Sequence, residues 1–317
     1  MRVLVTGGAG FIGSNLVDRL LAEGHAVDVI DDLSTGSLAN LSEARSDPSV
    51  EFTFQRLDIR AEAVADVIER RRPEVVFHLA AQSDVRVSVE RPIFDAEVNI
   101  LGTLNVLEGA RRAGARKVVF AASGGTLYGD VDAADLPVRE SHVHQPQSPY
   151  GVSKKAAVDY LAAYRELHNV EFTAVALANV YGPRQDPQGE AGVVAIFAGR
   201  LLAGEPCTIF GDGTQTRDFV YIDDVVDAFA RAAERGGGLV VNIGTGVETS
   251  VNQLYATMAS LMGIADAPTY APGRPGEILR SALDPGRAAI HLGWKPWTSL
   301  RDGCDGVLRW FEERRGP

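Results

Sequence analysis

The segment that decides the fold is "RVLVTGGAGFIGSNLVDRLLAEGHAVDVIDD", which runs from Arg2 to Asp32. An apolar run of strand length leads into a glycine turn, a stretch with leucines at helical spacing, and a second apolar run that ends at Asp31. This order predicts a strand–helix–strand unit. Glycines in such a turn let the backbone approach a pyrophosphate, and an acidic residue about 20 residues later suits ribose hydroxyls. We therefore predict a dinucleotide site here.

Asp31 also predicts which dinucleotide binds. A carboxylate at this place accepts hydrogen bonds from the adenosine ribose and repels a 2′-phosphate, which favours NAD over NADP. The alternative is that Asp31 only caps the turn "DDLSTG". The residues that we assign to NAD in this segment are Gly7, Gly10, Phe11, Ile12, Asp31, Asp32, Thr35 and Gly36.

Apolar runs alternate with helical patterns through the first half of the chain, which predicts an α/β fold with a doubly wound parallel sheet of the Rossmann type. The predicted strands after the first unit are "VEFTFQRLDI", "EVVFHLAA", "KVVFAAS" and "FTAVALANV", and the predicted helices are 61–71, one following Pro92 and one starting at Pro149. Shorter elements follow from about Gly182. We expect an NAD-binding domain over 1–178 and a smaller α/β substrate lobe over 179–317, with some chain crossing between them.

Composition excludes several classes of protein. The 317 residues carry a net charge of −11 without acidic blocks, which argues against a broad nucleic-acid surface. Cys207 and Cys304 are too few for a disulfide framework and lack metal-ligand spacing, so we expect buried free thiols and no metal site. No run approaches the roughly 20 apolar residues of a membrane span. No signal peptide is visible, and we expect a cytoplasmic protein without nucleic-acid or membrane partners.

The segment "SPYGVSKKAAVDYL" places Tyr150 and Lys154 four residues apart, on one face of a helix. A phenol ordinarily has a pKa near 10. The Lys154 ammonium and the positive ring of oxidised nicotinamide should lower that pKa. Tyr150 could then take a proton from a substrate hydroxyl while a hydride leaves the same carbon. The alternative is a solvated lysine beside a core tyrosine.

Four motifs together, "TGGAGFIGS", "HLAAQ", "YGVSK" and "RDFVYIDDVVDA", resemble the extended short-chain dehydrogenase/reductase family. Within it the chain is most similar to the UDP-glucose 4-epimerases and their UDP-sugar relatives, over nearly its whole length. The resemblance implies an NAD-dependent UDP-hexose 4-epimerase that works through a transient 4-keto sugar. It also implies a homodimer packed through two helices of each subunit, which here are the helix following Pro92 and the helix that carries Tyr150.

The resemblance assigns further residues to the two ligands. On the NAD side it implies Asp58 and Ile59 near the adenine, Asn99 near the nicotinamide, and Leu79, Ala80, Ala81 and Gln82 along the cofactor, with Tyr150 and Lys154 also in contact. On the UDP-sugar side it implies Asn179 and Arg217 at the diphosphate, Val193, Thr208 and Phe210 at the uracil, and Arg274 and Glu277 closing over the nucleotide. A surface ion pair remains the alternative for each arginine.

The segment from Ser123 to Tyr128, "SGGTLY", separates the chemistries of the family. Members that remove water carry an Asp-Glu pair after a threonine here, and sugar-acid decarboxylases keep a glutamate. This chain has no carboxyl group in the segment, which favours epimerisation. Many epimerases hold a serine or threonine where this chain has Gly124, and we give that role to Ser123, with Thr126 as the alternative. Gly124 and Gly125 leave room for either face of the sugar, unless they only form a turn.

The sugar itself is less constrained by the sequence. Counting four residues from Glu277 places Ser281 beside the sugar's 2-substituent, and a residue this small should admit an N-acetyl group; a shift of one residue would place Arg280 or Ala282 there. The alternative enzyme is a UDP-glucuronate 4-epimerase, with Arg86 as a partner for the carboxylate. From another class, the chain could be a non-catalytic NAD-sensing regulator, but such proteins usually lack the Tyr and Lys pair.

Overall fold

A computed structural model describes residues 1–187, 192–273 and 278–314. The strands are β1 (Arg2–Thr6), β2 (Ala26–Asp31), β3 (Phe52–Arg56), β4 (Val75–His78), β5 (Lys117–Ser123), β6 (Glu171–Leu177), β7 (Asn179–Tyr181), β8 (Thr208–Phe210), β9 (Thr216–Arg217), β10 (Phe219–Tyr221), β11 (Leu239–Ile243), β12 (Thr249–Ser250) and β13 (Thr269–Ala271).

The α-helices are α1 (Phe11–Ala22), α2 (Ser42–Ser46), α3 (Ala63–Arg71), α4 (Val85–Glu90), α5 (Pro92–Ala96), α6 (Gly102–Ala113), α7 (Gly124–Leu127), α8 (Pro149–His168), α9 (Val193–Ala203), α10 (Ile222–Ala232), α11 (Val251–Leu261), α12 (Gly286–His291) and α13 (Leu300–Arg314). Short 3₁₀ turns occupy Leu38–Leu41 and Ala133–Asp135. Among the described residues, none of these helices is both long and apolar enough to cross a membrane.

The central sheet has the strand order β11-β6-β5-β4-β1-β2-β3, and every neighbouring pair in it is parallel. The order reverses at β1, whose Val3 pairs with Val27 on one side and with Val75 on the other. Ligands of such sheets bind outside the carboxyl ends of the strands at this reversal. The predicted Rossmann-type fold is confirmed, and it locates the site at the ends of β1 and β4.

Apolar residues cover both faces of the sheet. Leu16 and Leu20 of α1 pack in one core with Phe229 of α10, and Ile68 of α3 and Leu107 of α6 belong to the core on the other face. Because both faces are covered, the inner strands are mostly apolar runs, whereas the edge strand β3, FTFQR, alternates between partly buried and exposed residues. This explains why they could be recognised in the sequence.

The predicted helix after Pro92 is a continuous helical segment with one wide turn. Helix α5 passes into a π-helical turn over Glu97–Leu101, which passes directly into α6. Such π-helical turns are rare in proteins, and those that occur are often found at functional sites. Asn99, assigned to the nicotinamide side, lies inside this turn and is buried.

The predicted strand "FTAVALANV" is two strands rather than one. Strand β6 ends at Leu177, and the Ala178 N–H still donates to Ile243 O at 2.9 Å. The next N–H, of Asn179, donates instead to Asp218 O, and β7 pairs with β10 outside the central sheet. The chain therefore leaves the central sheet after Ala178, where its backbone hydrogen bonds pass from Ile243 of β11 to Asp218.

The second lobe has its own core between α9, α11 and α13, around Phe197, Met258 and Val307. Cys207 and Cys304 are both buried in it and unpaired, as expected. The chain does not stay in this lobe, because β11 returns to the edge of the central sheet beside β6. The division at residues 178 and 179 stays a prediction.

Candidate active site

The glycine turn after β1 is held so tightly that side chains would not fit. Gly7 has φ +70°, and a Cβ on it would lie 2.7 Å from Ala80 N. A Cβ on Gly13 would lie 2.1 Å from Gly7 O. Helix α1 begins after Gly10 with no side-chain cap and no acidic residue in its first turn. Its first N–H groups are therefore available to an anion, which is the arrangement that suits a pyrophosphate.

Asp31 lies at the end of β2, beside this turn. Its Oδ2 accepts from Ala9 N at 2.9 Å and its Oδ1 from Leu33 N at 2.8 Å, and burial raises its pKa. The carboxylate thus makes the cap contacts given above as the alternative role, while keeping acceptor capacity for a ribose. The loop that follows it closes on the glycine turn, since Ser37 N donates to Ala9 O and a Cβ on Gly36 would lie 2.9 Å from Ala9 C.

The residues assigned along the cofactor continue from the end of β4. Leu79 N donates to Thr6 O at 3.1 Å and Ala80 N to Thr6 Oγ1 at 3.2 Å, so this segment lies against the end of β1. Gln82 and Asn99 are joined twice, by Gln82 N to Asn99 Oδ1 and by Asn99 Nδ2 to Gln82 O, both at 2.9 Å. The structure therefore brings Gly7, Ala80, Gln82 and Asn99 into one continuous surface.

Asp58 and Ile59 lie after β3, at the same sheet edge. The Asp58 carboxylate pairs with Arg60, which lowers its pKa. Ile59 is buried, and a Cβ on Gly102 of α6 would lie 2.7 Å from its side chain. Ala81, Asp32 and Thr35 are partly or largely exposed in the same region. Their roles toward the adenine and ribose stay predictions.

Helix α8 begins with Pro149 after Ser148, whose hydroxyl accepts from Gly151 N, so Tyr150 lies in the first turn. Lys154, one turn later, is 3% exposed, donates from Nζ to Ala121 O at 2.9 Å and lies 5.8 Å from the Tyr150 ring centroid. The predicted pair is thus on one face of the helix, directed at the end of β5.

The protein's own groups do not lower the Tyr150 pKa as the sequence analysis expected. Burial raises it to about 12, with Asp95 adding to the increase and the Ser123 side chain opposing it by a hydrogen bond. Burial also lowers the Lys154 pKa to about 8. The expectation named Lys154 together with oxidised nicotinamide; in the chain by itself, desolvation of the phenolate is the largest influence and raises the pKa. A lowered pKa stays a prediction for the complex with oxidised NAD.

Ser123 lies close enough to Tyr150 for its side chain to lower the pKa of the phenol. Thr126, the alternative, lies next to Gly151, the residue that follows Tyr150 in α8. A Cβ on Gly151 would be 3.3 Å from Thr126 Cβ. Its hydroxyl oxygen is buried and has no hydrogen-bond partner among the described residues. Ser123 therefore has the contact that the assigned role requires, and that role stays a prediction.

The two glycines after Ser123 have different surroundings. A Cβ on Gly124 would lie 2.3 Å from Leu283 Cδ1 and 3.1 Å from Leu177 O, whereas one on Gly125 would meet nothing within 4 Å. Gly124 is required by packing, and only Gly125 faces open space. The expectation that both leave room for the sugar is therefore corrected for Gly124.

The residues assigned to the UDP-sugar are distributed over the second lobe. Asn179 begins β7, Arg217 ends β9, Val193 begins α9, and Thr208 and Phe210 bound β8, where Thr208 Oγ1 lies 3.2 Å from Thr269 Oγ1. Ser281 is partly exposed between Arg280, which pairs with Glu248, and the buried Ala282. Arg274 and Glu277 lie outside the described residues.

Sequence reasoning missed the carboxylate that assembles this region. Asp218 is fully buried, and four donors reach its side chain: Thr245 N, Thr245 Oγ1, Gly246 N and Leu283 N, at 2.6–3.1 Å. It thereby ties the Arg217 strand to the segment that contacts Gly124. The only available signal was its position directly after Arg217 in "TRDF".

Comparison with known proteins agrees with this geometry. The model of the NAD dependent epimerase/dehydratase family matches residues 3–244. A UDP-glucose 4-epimerase of Mycolicibacterium smegmatis is 50% identical over 315 residues, covering 99% of both chains. A UDP-glucose 4-epimerase structure from Thermotoga maritima with UDP-glucose has a TM-score of 0.94 at 43% identity, covering 99% of both chains.

A third relative was solved with the dinucleotide. The UDP-glucose 4-epimerase of Thermus thermophilus in complex with NAD has a TM-score of 0.90 at 42% identity, covering 99% of this chain and all of that one. The glycine cradle and uncapped helix of this chain fit the same group. By sequence, fold and site, the chain belongs to the NAD dependent epimerase/dehydratase family.

Proposed function

We propose that this chain is an NAD-dependent UDP-hexose 4-epimerase that interconverts UDP-glucose and UDP-galactose through a transient 4-keto sugar. The observation that carries the proposal is the pairing of Tyr150 with the buried Lys154 on one face of α8, near a segment, Ser123–Tyr128, that holds two glycines and no carboxyl group. The names of the three relatives above support the choice of sugar nucleotide.

The residues of the chain have separable tasks in this reaction. Tyr150 takes the proton of the 4-hydroxyl and later returns it, and the Ser123 side chain beside it lowers the pKa of the phenol. Lys154, anchored on Ala121 O, supplies a positive charge next to the phenol. Bound NAD would supply the hydride acceptor for C4 and, in its reduced form, the hydride donor. Gly7, Gly10 and the start of α1 would hold its pyrophosphate, and Asp31 its adenosine ribose.

The direct test uses purified protein, NAD and a panel of UDP-sugars, with the products separated and identified. We expect UDP-glucose and UDP-galactose to interconvert with no added oxidant or reductant. Conversion of UDP-glucuronate alone would overturn this choice of sugar in favour of the alternative enzyme. Binding of NAD with no conversion of any sugar would favour a regulator instead.

The glucuronate alternative depends on Arg86. This residue is on α4, its side chain is 67% exposed, and its Nε lies 3.7 Å from the Asp84 carboxylate. A guanidinium already facing a carboxylate in solvent is a weak partner for a second one. The regulator is disfavoured because both Tyr150 and Lys154 are present, on one face of α8, with the Lys154 ammonium buried 5.8 Å from the Tyr150 ring centroid.

We include N-acetylated UDP-sugars among the substrates because of Ser281. Leu283, two residues later, contacts Gly124 next to Ser123, and it forms a bridge with Val138. Ser281 is partly exposed whereas Ala282 and Leu283 are buried, so Ser281 is the residue of this segment that is open to a ligand. We expect Ser281→Tyr to lose activity on UDP-N-acetylglucosamine selectively and Ser281→Ala to keep it. Equal loss on both sugars would remove Ser281 from the selection.

We further propose a homodimer through the two helical segments predicted above. Ile93 and Leu101 on one segment, and Val152 and Tyr160 on α8, are exposed large apolar residues. Their spacing of eight residues places each pair on one helix face. Light scattering should give twice the chain mass of 33.9 kDa, and Ile93→Glu with Val152→Glu should return the monomer. A wild-type monomer would contradict this.

The two buried, unpaired cysteines support a cytoplasmic location.

A further inference from the structure

A buried carboxylate that no assigned role uses lies behind the catalytic pair. Asp95 of α5 is 1% exposed. Its Oδ1 accepts from Gln82 Nε2 and from Asn99 Nδ2, both at 3.0 Å. Both partners are neutral amides, so these bonds orient the carboxylate without neutralising its charge. A buried charge of this kind requires a compensating charge nearby.

The group that can compensate it is Lys154. The ammonium is buried, and its hydrogen bond to Ala121 O is also with a neutral group. It lies 4.7 Å from the Phe120 ring centroid, where the π face favours a cation. Asp95 is the carboxylate whose charge opposes the effect of burial on Lys154. Helix α5, which carries Asp95, packs against α8, which carries Lys154, so two buried groups of opposite charge lie on adjacent helices.

Asp95 is also connected to the catalytic helix through hydrogen bonds. The Asn99 amide that donates to Asp95 also lies 3.2 Å from Ser153 Oγ, and Ser153 Oγ donates to Tyr150 O at 2.9 Å. Because Gln82 joins the same carboxylate, one group links the loop after β4, the wide helical turn and the start of α8.

We propose that Asp95 is a positioning residue that fixes the Gln82–Asn99–Ser153 link to the catalytic helix and places a buried negative charge opposite Lys154. This deepens the proposed function, since it concerns the charge that acts on Tyr150. Lys154 also interacts with His78 of β4 and with Tyr150 of its own helix. Burial lowers the His78 pKa to about 3, so His78 is neutral and leaves Asp95 as the compensating charge.

Activity alone is a poor readout for this role. Removing the charge of Asp95 lowers the Lys154 pKa, and it also lowers the Tyr150 pKa, which Asp95 raises. The lower Lys154 pKa removes the ammonium that favours the Tyr150 phenolate, whereas the lower Tyr150 pKa itself favours the phenolate. The two changes therefore have opposite effects on activity. The direct readout is the titration of Lys154 itself.

The experiment follows the lysine side chains by NMR in the full-length protein. The chain has four lysines, Lys117, Lys154, Lys155 and Lys295, and Lys154→Met assigns the signal in question. We expect Asp95→Asn to lower the pKa of Lys154 by about 1 unit or more. The matched control is Asp84→Asn, since Asp84 caps α4 with its side chain and asparagine caps as well. An unchanged Lys154 titration in Asp95→Asn would overturn the proposal.

A second comparison decides the matter if Asp95→Asn does not fold. Removing one member of a buried charge pair leaves the other uncompensated, which is strongly destabilising. The double variant Asp95→Asn with Lys154→Met should then have a higher melting temperature than Asp95→Asn alone. Equal or lower stability of the double variant would contradict the proposal. Neither measurement uses turnover, so a wild type without epimerase activity would overturn the proposed function separately.

Discussion

Leu283 fills the space beside Gly124: a Cβ on Gly124 would lie 2.3 Å from Leu283 Cδ1. Leu283 is itself held by its N–H, which donates to the buried carboxylate of Asp218. A serine or threonine at position 124 would therefore have to displace a side chain that the second lobe holds in place. The contact favours glycine at position 124.

This contact predicts opposite results for two neighbouring substitutions. Gly124→Ala should reduce the free energy of unfolding by about 1–3 kcal/mol, because the new methyl group overpacks against Leu283. Gly125→Ala, with nothing within 4 Å, should be neutral or stabilise α7 by up to about 1 kcal/mol. Urea unfolding measures the free energy of unfolding of both variants. In protein that already carries Leu283→Ala, Gly124→Ala should reduce this free energy less, because the side chain that it overpacks against is gone. Equal changes in the free energy of unfolding for Gly124→Ala and Gly125→Ala would show that the contact with Leu283 does not destabilise the Gly124→Ala variant.

Tyr150→Phe should lower turnover by a factor on the order of 10² to 10⁴, the usual contribution of a positioned acid or base. NAD affinity should be nearly unchanged, since the ring remains. Tyr160→Phe, on the same helix but 40% exposed, is the control and should match the wild type. Steady-state kinetics and NAD titration give the answer. Normal turnover of Tyr150→Phe would remove this hydroxyl from the mechanism.

Lys154 should make stability depend on pH. Its folded pKa is about 8 against an ordinary 10.5, so the unfolded chain binds more protons between these values and stability rises with pH there. At about 1.4 kcal/mol for each pKa unit, this amounts to about 3 kcal/mol. The wild type should gain this stability relative to Lys154→Met as the pH rises through that window. Lys155→Met is the control, because Lys155 is partly exposed and pairs with Asp159. A constant difference between wild type and Lys154→Met would show that Lys154 titrates normally.

Asp31 should decide the choice between NAD and NADP. We expect Asp31→Asn to improve NADP binding relative to NAD by about tenfold or more, a difference of about 1.4 kcal/mol. The substitution keeps a carbonyl acceptor for one of the N–H groups of Ala9 and Leu33 and removes the charge that repels a 2′-phosphate. Calorimetric titration with both dinucleotides measures the ratio, with the exposed Asp47→Asn as control. An unchanged ratio would limit Asp31 to capping its turn.

Features that depend on local sequence could be predicted. The glycine turn, Asp31 at the end of β2, and Tyr150 and Lys154 on one helix face follow from spacing within short segments. The inner strands of the central sheet were recognisable because burial on both faces makes them mostly apolar runs.

Features that depend on contacts between distant segments could not be predicted from the sequence. Leu283 and Gly124 meet through contacts between distant segments: the hydrogen bonds of Asp218, which join three of them, and the bridge between Leu283 and Val138. Asp95 stands in "IFDAEVN", where an acidic residue suits a solvated helix, and its burial follows from Gln82 and Asn99. The sign of the Tyr150 pKa change was missed for the same reason, because burial is a property of the assembled fold.

The most direct test of the account is the mass of the product formed from UDP-glucose in heavy water. If a hydride leaves C4 and returns to the same carbon, the product is UDP-galactose with the mass of the substrate and no carbon-bound deuterium from solvent. Mass spectrometry after return to ordinary water, together with NMR at C4, measures both properties. A product that has lost water or carbon dioxide, or that carries solvent deuterium at C4, would contradict epimerisation by an internally returned hydride.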